Sequence, residues 1–236
     1  MFWSNAKQLE INLLIKNKRG KTPIDLIEEG EESEGWLKEL GNPKEDLNLL
    51  QPLKKAIEDK DFNQVESIKN KCIMSLSFVA LFHAIEEDEE FAITMIDNCQ
   101  RLTLSLSETN EHKETPLILA CRLKKPKIAK VILCQAKTQD IVINARDGDG
   151  WTAFILACRN GWTAIVEMML ELAQEVKIDL NTKDTIFKRT GFIHSCIYKH
   201  SEVINIIMAK AESLQIDLHG KDYEGKSGFD YLPGHF

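Results

Sequence analysis

The chain repeats one short segment at an almost constant spacing, and this period limits the fold more than any other feature. The segments are TPLILAC at 115–121, TAFILAC at 152–158 and TGFIHSC at 190–196, with their threonines 37 and 38 residues apart. A fourth start, SGFD, follows at 227–230. A fixed period of this size is typical of a stacked repeat array, in which each unit contacts mainly its neighbours. The sequence therefore predicts an extended binding surface rather than a catalytic cleft.

Each unit has the pattern of a short helix, a turn, a longer helix and a connecting loop or hairpin. In the second unit, Thr152 can cap a helix N-terminus, and Asn160-Gly161 is typical of a helix end. Helical periodicity resumes from Trp162 to Ala173, and the stretch 176–181 then leads into the next unit. Small residues recur at one helical position, where tight stacking requires them, and a cysteine follows each: Ala120, Ala157 and Ser195, then Cys121, Cys158 and Cys196.

The second unit carries the most complete pattern, GWTAFILACRNGWTAIV at 150–166, and Asp147 precedes it. This pattern resembles the ankyrin repeat family, whose units run G-x-T-P-L-h-x-A-A-x-x-G-h-x-x-I-V and carry an acidic residue in the hairpin. Weaker copies begin at Thr22, Pro52 and Ala80, so the resemblance covers nearly the whole chain. It implies an all-α fold, a helical repeat solenoid of ankyrin-type stacked helix pairs with hairpin loops.

The quality of the repeats divides the chain into three parts. We expect partial ankyrin-like repeats at 1–41, degenerate ones at 42–108, and well-formed ankyrin repeats at 109–236 that end in a truncated cap unit. The sequence does not decide whether the repeats stack continuously across 41–52.

Both chain ends fall inside repeats. We therefore expect a fragment of a longer array. The alternative is an unusual N-terminal cap in which Phe2 and Trp3 fold back on Leu13 or Leu14.

The units depart from the family pattern at their turns. The histidine that usually follows T-P-L is replaced by isoleucine in three units: Ile118, Ile155 and Ile193. These capping turns are therefore expected to rely on apolar packing. Lys124 and Lys199 stand where Gly161 ends the first helix of its unit. A residue other than glycine costs stability if the backbone there has a positive φ.

Charge and composition argue against several classes of protein. A formal net charge of −7 and a pI near 5.5 disfavour general binding of nucleic acid or anionic membranes. No apolar run has the length of a membrane span, and the start MFWSN lacks the pattern of a secretory signal. The six cysteines form no CxxC pair and no metal-ligand spacing. We expect an intracellular protein, cytoplasmic or alternatively nuclear, with no cofactor and no metal.

One segment matches the phosphate-binding loop literally: GKDYEGKS at 220–227 fits G-x-x-x-x-G-K-S. A phosphate loop needs a parallel sheet around it and a downstream acidic residue for magnesium, yet nine residues follow Ser227. Repeat alignment explains Gly225 and Ser227 as counterparts of Gly150 and Thr152. We therefore interpret the segment as a hairpin of the array.

The cysteines and histidines favour structural roles. The thiols of Cys121, Cys158 and Cys196 are expected in helix layers about 10 Å apart, which is too far for a disulfide. His83 and His194 align on the first helices of different units, which disfavours a shared catalytic role. The sequence therefore predicts no enzyme.

The resemblance implies partner binding along the hairpin tips and the exposed side of the first helices. A solvated strip should be mostly polar, but aromatic and arginine side chains occupy these positions. Trp, Tyr and Arg dominate interface hot spots. The alternative is that the hairpin aromatics pack on neighbouring hairpins. The predicted partner-binding residues are Arg122, Trp151, Arg159, Phe187, Arg189, Tyr198 and Tyr223.

The main prediction is a non-catalytic protein–protein interaction scaffold that binds a protein partner through its hairpin tips and concave first-helix face. We expect no binding of nucleic acid and no membrane insertion, in a chain that is monomeric or part of a longer one. The alternative is a substrate-recruiting ankyrin segment of a larger enzyme, of a ubiquitin-ligase adaptor or of a channel.

Overall fold

A computed structural model of the chain describes residues 50–59, 61, 64–65, 76–100, 102, 104–139 and 141–232. The expectations for residues 1–41 and for a cap formed by Phe2 and Trp3 lie outside this part. The chain divides into two compact units. One contains the described residues up to His83 together with Asn98–Leu104, and the other contains Ala84–Asp97 and the residues from Ser105 onward. The second unit contains every residue of the predicted binding strip.

Regular structure in the described residues is helical, with no strand among them, so the predicted all-α fold is confirmed. The described helices are α1 (Leu50–Glu58), α2 (Leu76–Glu87), α3 (Glu89–Asp97), α4 (Pro116–Arg122), α5 (Pro126–Gln135), α6 (Ala153–Asn160), α7 (Thr163–Leu172), α8 (Gly191–Ile197), α9 (Ser201–Lys210) and a short 3₁₀ helix (Phe229–Tyr231). None of these helices combines the length and the apolar character that a membrane crossing requires.

The helices of the second compact unit stack in two rows. The first helices α4, α6 and α8 and the 3₁₀ helix pack side by side, and α3, α5, α7 and α9 form the row behind them. Each of α4, α6 and α8 also packs against the second helix of its own repeat. This is the stacked helix-pair arrangement that the period predicts.

Threonine caps begin the first helices as predicted. Thr115, Thr152 and Thr190 are extended, and each Oγ1 accepts a hydrogen bond from the backbone N–H three residues later, over 3.2–3.3 Å. The residues that donate these N–H groups are all buried: Ile118, Ile155 and Ile193. Apolar packing therefore supports the capping turns where the family usually has histidine.

A short polar side chain closes each hairpin between units: Asn110, Asp147, Asp184 and Asp222. In the Asp147 hairpin, Oδ1 accepts the backbone N–H of Asp149 over 2.9 Å and that of Trp151 over 2.8 Å. The backbone N–H of Asp147 in turn donates to the carbonyl of Trp151 over 3.1 Å. One side-chain oxygen thus satisfies donors that a buried loop would otherwise leave unpaired.

Backbone hydrogen bonds link each hairpin tip to the next. The amide of Gly148 donates to the carbonyl of His112 over 3.1 Å, and the amide of Tyr223 donates to that of Phe187 over 3.0 Å. These bonds fix the spacing of the tips, so side chains from successive hairpins lie in a row.

Asparagine side chains make a second link between units, at the far end of the loops. Asn144 Nδ2 donates to the carbonyl of Lys177 over 2.8 Å, and its Oδ1 accepts the N–H of Asp179 over 2.8 Å. Asn181 repeats both bonds one unit later, to Gln215 and Asp217. Each asparagine therefore pairs one donor and one acceptor of the following loop.

Left-handed backbone occurs at the helix-ending turns, as the sequence suggested. Lys124 and Lys199 each have a φ of 58°, and Gly161 has a φ of 70°. A Cβ added to Gly161 would lie 2.5 Å from Nδ1 of His200, whose ring packs against it. Glycine is thus required at 161 by both its backbone conformation and the lack of space for a Cβ. Lys124 and Lys199 adopt the same left-handed conformation at a cost in backbone strain.

We predict opposite stability changes at two equivalent turns. Gly161→Ala should lower the free energy of unfolding by about 1–3 kcal/mol, because the new Cβ is strained and displaces His200. Lys199→Gly should raise it by about 0.5–1 kcal/mol, because glycine relieves a left-handed lysine at a smaller entropic cost. Urea unfolding followed by circular dichroism measures both. A Gly161→Ala protein as stable as the parent would contradict this account.

Candidate functional site

Arg159 lies at the centre of the candidate surface, at the end of α6. Its side chain is exposed, and its guanidinium carbon lies 5.1 Å from the ring centroid of Trp151 and 5.5 Å from that of Tyr198. Its Nε donates to the hydroxyl of Tyr198 over 3.2 Å. Cation–π contacts and this hydrogen bond hold the guanidinium in place, yet Arg159 forms no ion pair with a described carboxylate.

A buried histidine supports this arrangement from beneath. The ring of His194 lies 4.7 Å from that of Trp151, and its Nε2 lies 3.0 Å from Asp184 Oδ2. Its Nδ1 is buried and has no hydrogen-bond partner among the described residues. Burial lowers the pKa of His194 below its ordinary value, and Arg189 and Arg159 act in the same direction, although Asp184 opposes the shift. The imidazole is therefore neutral near pH 7 and donates to Asp184 through Nε2.

Trp151 is where the structure corrects the predicted strip. The sequence places this ring on an exposed surface, but only 7% of the residue is exposed. The ring packs against His194 of the following unit and beneath Arg159. Trp151 therefore supports the surface from beneath. The side chains against its ring, His194 and Arg159, lie on first helices, whereas the alternative offered by the sequence was packing on neighbouring hairpins.

Two of the predicted arginines are held in internal ion pairs. Arg122 donates to Glu114 through Nε and to Asp147 through Nη2. Arg189 Nε donates to Asp222 Oδ2 over 3.2 Å. The contacts with Asp147 and Asp222 use the carboxylate oxygen that the hairpin backbone leaves free.

Asp222 is also held by the last described turn. Tyr231 donates its hydroxyl proton to Asp222 Oδ2 over 2.5 Å, and Arg189 Nη2 lies 3.3 Å from the same hydroxyl. Burial alone would raise the pKa of Asp222, but hydrogen bonds from Tyr231, from the backbone of Lys226 and from Arg189 outweigh it and lower the pKa. This carboxylate therefore remains charged and keeps Arg189 in place.

The remaining predicted aromatics are exposed. Tyr198 is 47% exposed at the end of α8, and Phe187 and Tyr223 are 37% and 62% exposed on adjacent hairpin tips. The last two rings have centroids 6.2 Å apart. Ile186, at 53% exposure, extends this apolar tip. The structure thus brings Arg159 and Tyr198 together on the first helices, with Phe187 and Tyr223 on the tips.

A concave pocket of about 330 Å³ lies on the first-helix side of the array. Its wall includes Trp162, which is half-buried, and the exposed ring of Tyr198. His200 is fixed there because its Nε2 bonds to the carbonyl of Arg159 over 2.9 Å. His200, Lys124 and Trp162 were not among the predicted partner-binding residues, although the turn alignment with Gly161 had singled out Lys124.

The segment that matches a phosphate loop is a hairpin of the array. Asp222 Oδ1 accepts the backbone N–H groups of Glu224 and Lys226 over 2.9 and 3.0 Å. Lys226 Nζ lies 2.6 Å from Glu224 Oε2. In a phosphate loop the backbone N–H groups and the lysine face the phosphates, whereas here carboxylates of this chain occupy them.

The predicted structural thiols are buried and free. Burial raises the pKa of Cys121 and Cys196 to about 12 and that of Cys158 well above its ordinary value. Thiolates are the reactive form, so these thiols are inert at neutral pH. Groups of three or more metal-ligating side chains with suitable placement do not occur in the described residues.

We predict that stability decreases in mild acid through His194. Because its folded pKa is lowered, the unfolded chain binds a proton that the folded chain does not as the pH falls below about 6.5. The free energy of unfolding should be constant from this source above pH 6.5 and should decrease as the pH approaches the folded pKa. His194→Gln should flatten this decrease in urea unfolding at several pH values, whereas His112→Gln, on an exposed side chain, should not. An unchanged pH profile in His194→Gln would refute the assignment.

We predict that Trp151 and Tyr198 differ in their contribution to stability. Trp151→Ala removes a buried ring and should lower the free energy of unfolding by about 3 kcal/mol or more. Tyr198→Ala removes a half-exposed ring and should cost about 1 kcal/mol or less. Thermal and urea unfolding of the two variants test this, and equal losses would show that the ring of Trp151 is not buried in solution.

Comparison with known proteins agrees with this geometry. The family model described as "Ankyrin repeat" matches residues 149–182. That match covers α6, the turn at Gly161 and α7, and it extends into the loop that precedes the Asp184 hairpin. No curated protein matches the chain. Residues 149–182 thus match an ankyrin repeat, and this repeat lies in an array of similar helix pairs.

Proposed function

We propose that this chain is a non-catalytic scaffold that binds a protein partner along its first-helix face and hairpin tips. The observation that carries the proposal is the position of Arg159. Its guanidinium contacts the buried ring of Trp151 and the exposed ring of Tyr198, and it has no carboxylate partner among the described residues. Desolvated arginine and tyrosine side chains dominate the energetics of many protein interfaces. Because the Arg159 side chain is already held in one position, it would lose little conformational entropy when a partner binds it.

The exposed tip residues extend this surface. Phe187, Tyr223 and Ile186 form an apolar patch on two successive hairpins that backbone hydrogen bonds hold together. Exposed aromatic rings on hairpins that are held together by backbone hydrogen bonds are typical of a surface that binds a protein partner. The first-helix face and the tips would then contact one partner along the array.

The buried groups support a non-catalytic function. His194 and Asp184 form a histidine–carboxylate pair, which in a catalytic triad would orient a base. The side chain of His194 is only 3% exposed, and its Nδ1 lies in the protein interior. A substrate could not reach this nitrogen in the folded chain, so the pair is best explained as part of the packing between units.

We predict that the surface can be located by paired variants. The double variant Arg159→Ala/Tyr198→Ala should weaken binding of a captured partner by at least about 2 kcal/mol, because two hot-spot side chains are lost. Met208→Ala, which removes an exposed apolar side chain on α9 in the opposite row, is the matched control and should bind normally.

The measurement is affinity capture from the source cell, identification by mass spectrometry, and calorimetric titration with the purified partner. Circular dichroism confirms that both variants are folded. A partner that binds the double variant and the parent equally would rule out this face as the binding surface.

A further inference from the structure

Among the side chains that line the concave pocket, those that can carry a charge at neutral pH are all basic. Its 330 Å³ are lined by Arg122, Lys124, Arg159, His200, Trp162 and Tyr198, together with one leucine and one asparagine. No acidic side chain lines it, although acidic residues outnumber Lys and Arg by 37 to 30 in the chain. The local charge of this pocket is therefore opposite to the net charge of the protein.

Two cations of the pocket are not neutralised by described residues. Arg122 is occupied by Glu114 and Asp147, whereas Arg159 and Lys124 form no ion pair with a described carboxylate. Lys124 is exposed at a left-handed turn, at the rim of the pocket. Two positive charges beside aromatic rings form a site that can accept an anion and an adjacent apolar group.

We propose that this pocket binds an acidic segment of a protein partner, with a carboxylate on Arg159 and Lys124 and a neighbouring apolar side chain against Trp162 and Tyr198. This inference rests on the proposed function and specifies the chemistry of the partner. The volume is at the small end for ligand pockets, so it suits a side chain or two of an extended peptide.

The surroundings favour an acidic peptide over a nucleic acid. A second cavity of about 460 Å³ shares Arg122 with the pocket. Its lining includes four acidic residues, Glu111, Glu114, Asp147 and Asp149, which outnumber Arg122 and Lys113, and it is completed by His112 and Gly148. A nucleic acid that continued past the pocket would carry its phosphates along these carboxylates, and the net charge of −7 would repel it. A peptide can place carboxylates at the pocket and neutral or basic residues beside the acidic cavity.

The test uses defined probes on the whole chain. Random short peptides displayed on phage are selected against the immobilised protein, and selected sequences are synthesised with a fluorophore for anisotropy titration. We expect the selected peptides to be rich in Asp and Glu next to an apolar residue. Replacing their acidic residues by Asn and Gln should weaken binding about tenfold or more. Raising the salt concentration should weaken binding of the acidic peptides and have little effect on the Asn/Gln peptides.

Matched variants locate the bound peptide. Lys124→Glu should weaken binding about tenfold, whereas Lys199→Glu should not, because Lys199 has the same φ at the equivalent turn but does not line the pocket. Arg159→Ala should likewise weaken binding and Arg159→Lys should restore part of it, while Arg146→Ala, on another exposed arginine, should have no effect. Circular dichroism of each variant confirms folding.

The outcomes separate this inference from the proposed function. Selected peptides without acidic residues, or acidic peptides insensitive to both Lys124→Glu and Arg159→Ala, would overturn the acidic-segment proposal while protein binding elsewhere on the array stood. A single-stranded RNA oligonucleotide that bound at Lys124 and Arg159 more tightly than the selected peptides would also overturn it.

Discussion

Each hairpin of the array depends on one short side chain that accepts backbone N–H groups inside its turn. Oδ1 of Asp147 and of Asp222 makes these bonds, and the second oxygen then faces neighbouring side chains. Arg122 donates to that oxygen of Asp147, and Arg189 to that of Asp222. The same carboxylates that shape the backbone therefore also fix charged side chains on the surface.

At the third hairpin the arrangement differs in a way that matters for binding. Asp184 accepts a hydrogen bond from His194, which is buried and neutral. Its carboxylate therefore does not pair with an arginine of the adjacent first helices. Arg159, which lies above His194 and Trp151, remains unpaired with described carboxylates. The side chains at the hairpins thus determine which arginine has no internal ion pair and can bind another molecule.

The period and the threonine caps could be predicted from the sequence because they are local and recur in every unit. The exposure of Trp151 could not, because it depends on His194 of the next unit, which repeat alignment marked only as a first-helix residue. The internal ion pairs of Arg122 and Arg189 could not be predicted for a similar reason. Their partners Asp147 and Asp222 lie one hairpin further along, and only the three-dimensional stacking brings them together.

The turns also account for the uneven likeness between repeats. The repeat at 149–182 has glycine at two of its three left-handed positions, Gly150 and Gly161, with Lys177 at the third, and it is the repeat that the family model matches. Its neighbours carry lysine with the same backbone sign: Lys113 and Lys124 before it, Lys188 and Lys199 after it. Similar helix pairs thus form on both sides although the turn sequence has changed.

The buried thiols of Cys121, Cys158 and Cys196 place one nucleophile inside each of three successive helix pairs. Their reactivity is suppressed by burial, and it returns wherever the surrounding helices separate. In a linear array, neighbouring units can open separately, since each is stabilised mainly by the units beside it. The chain therefore has native thiols at three known positions, and their rates of reaction with an added thiol reagent would report the order in which the units open.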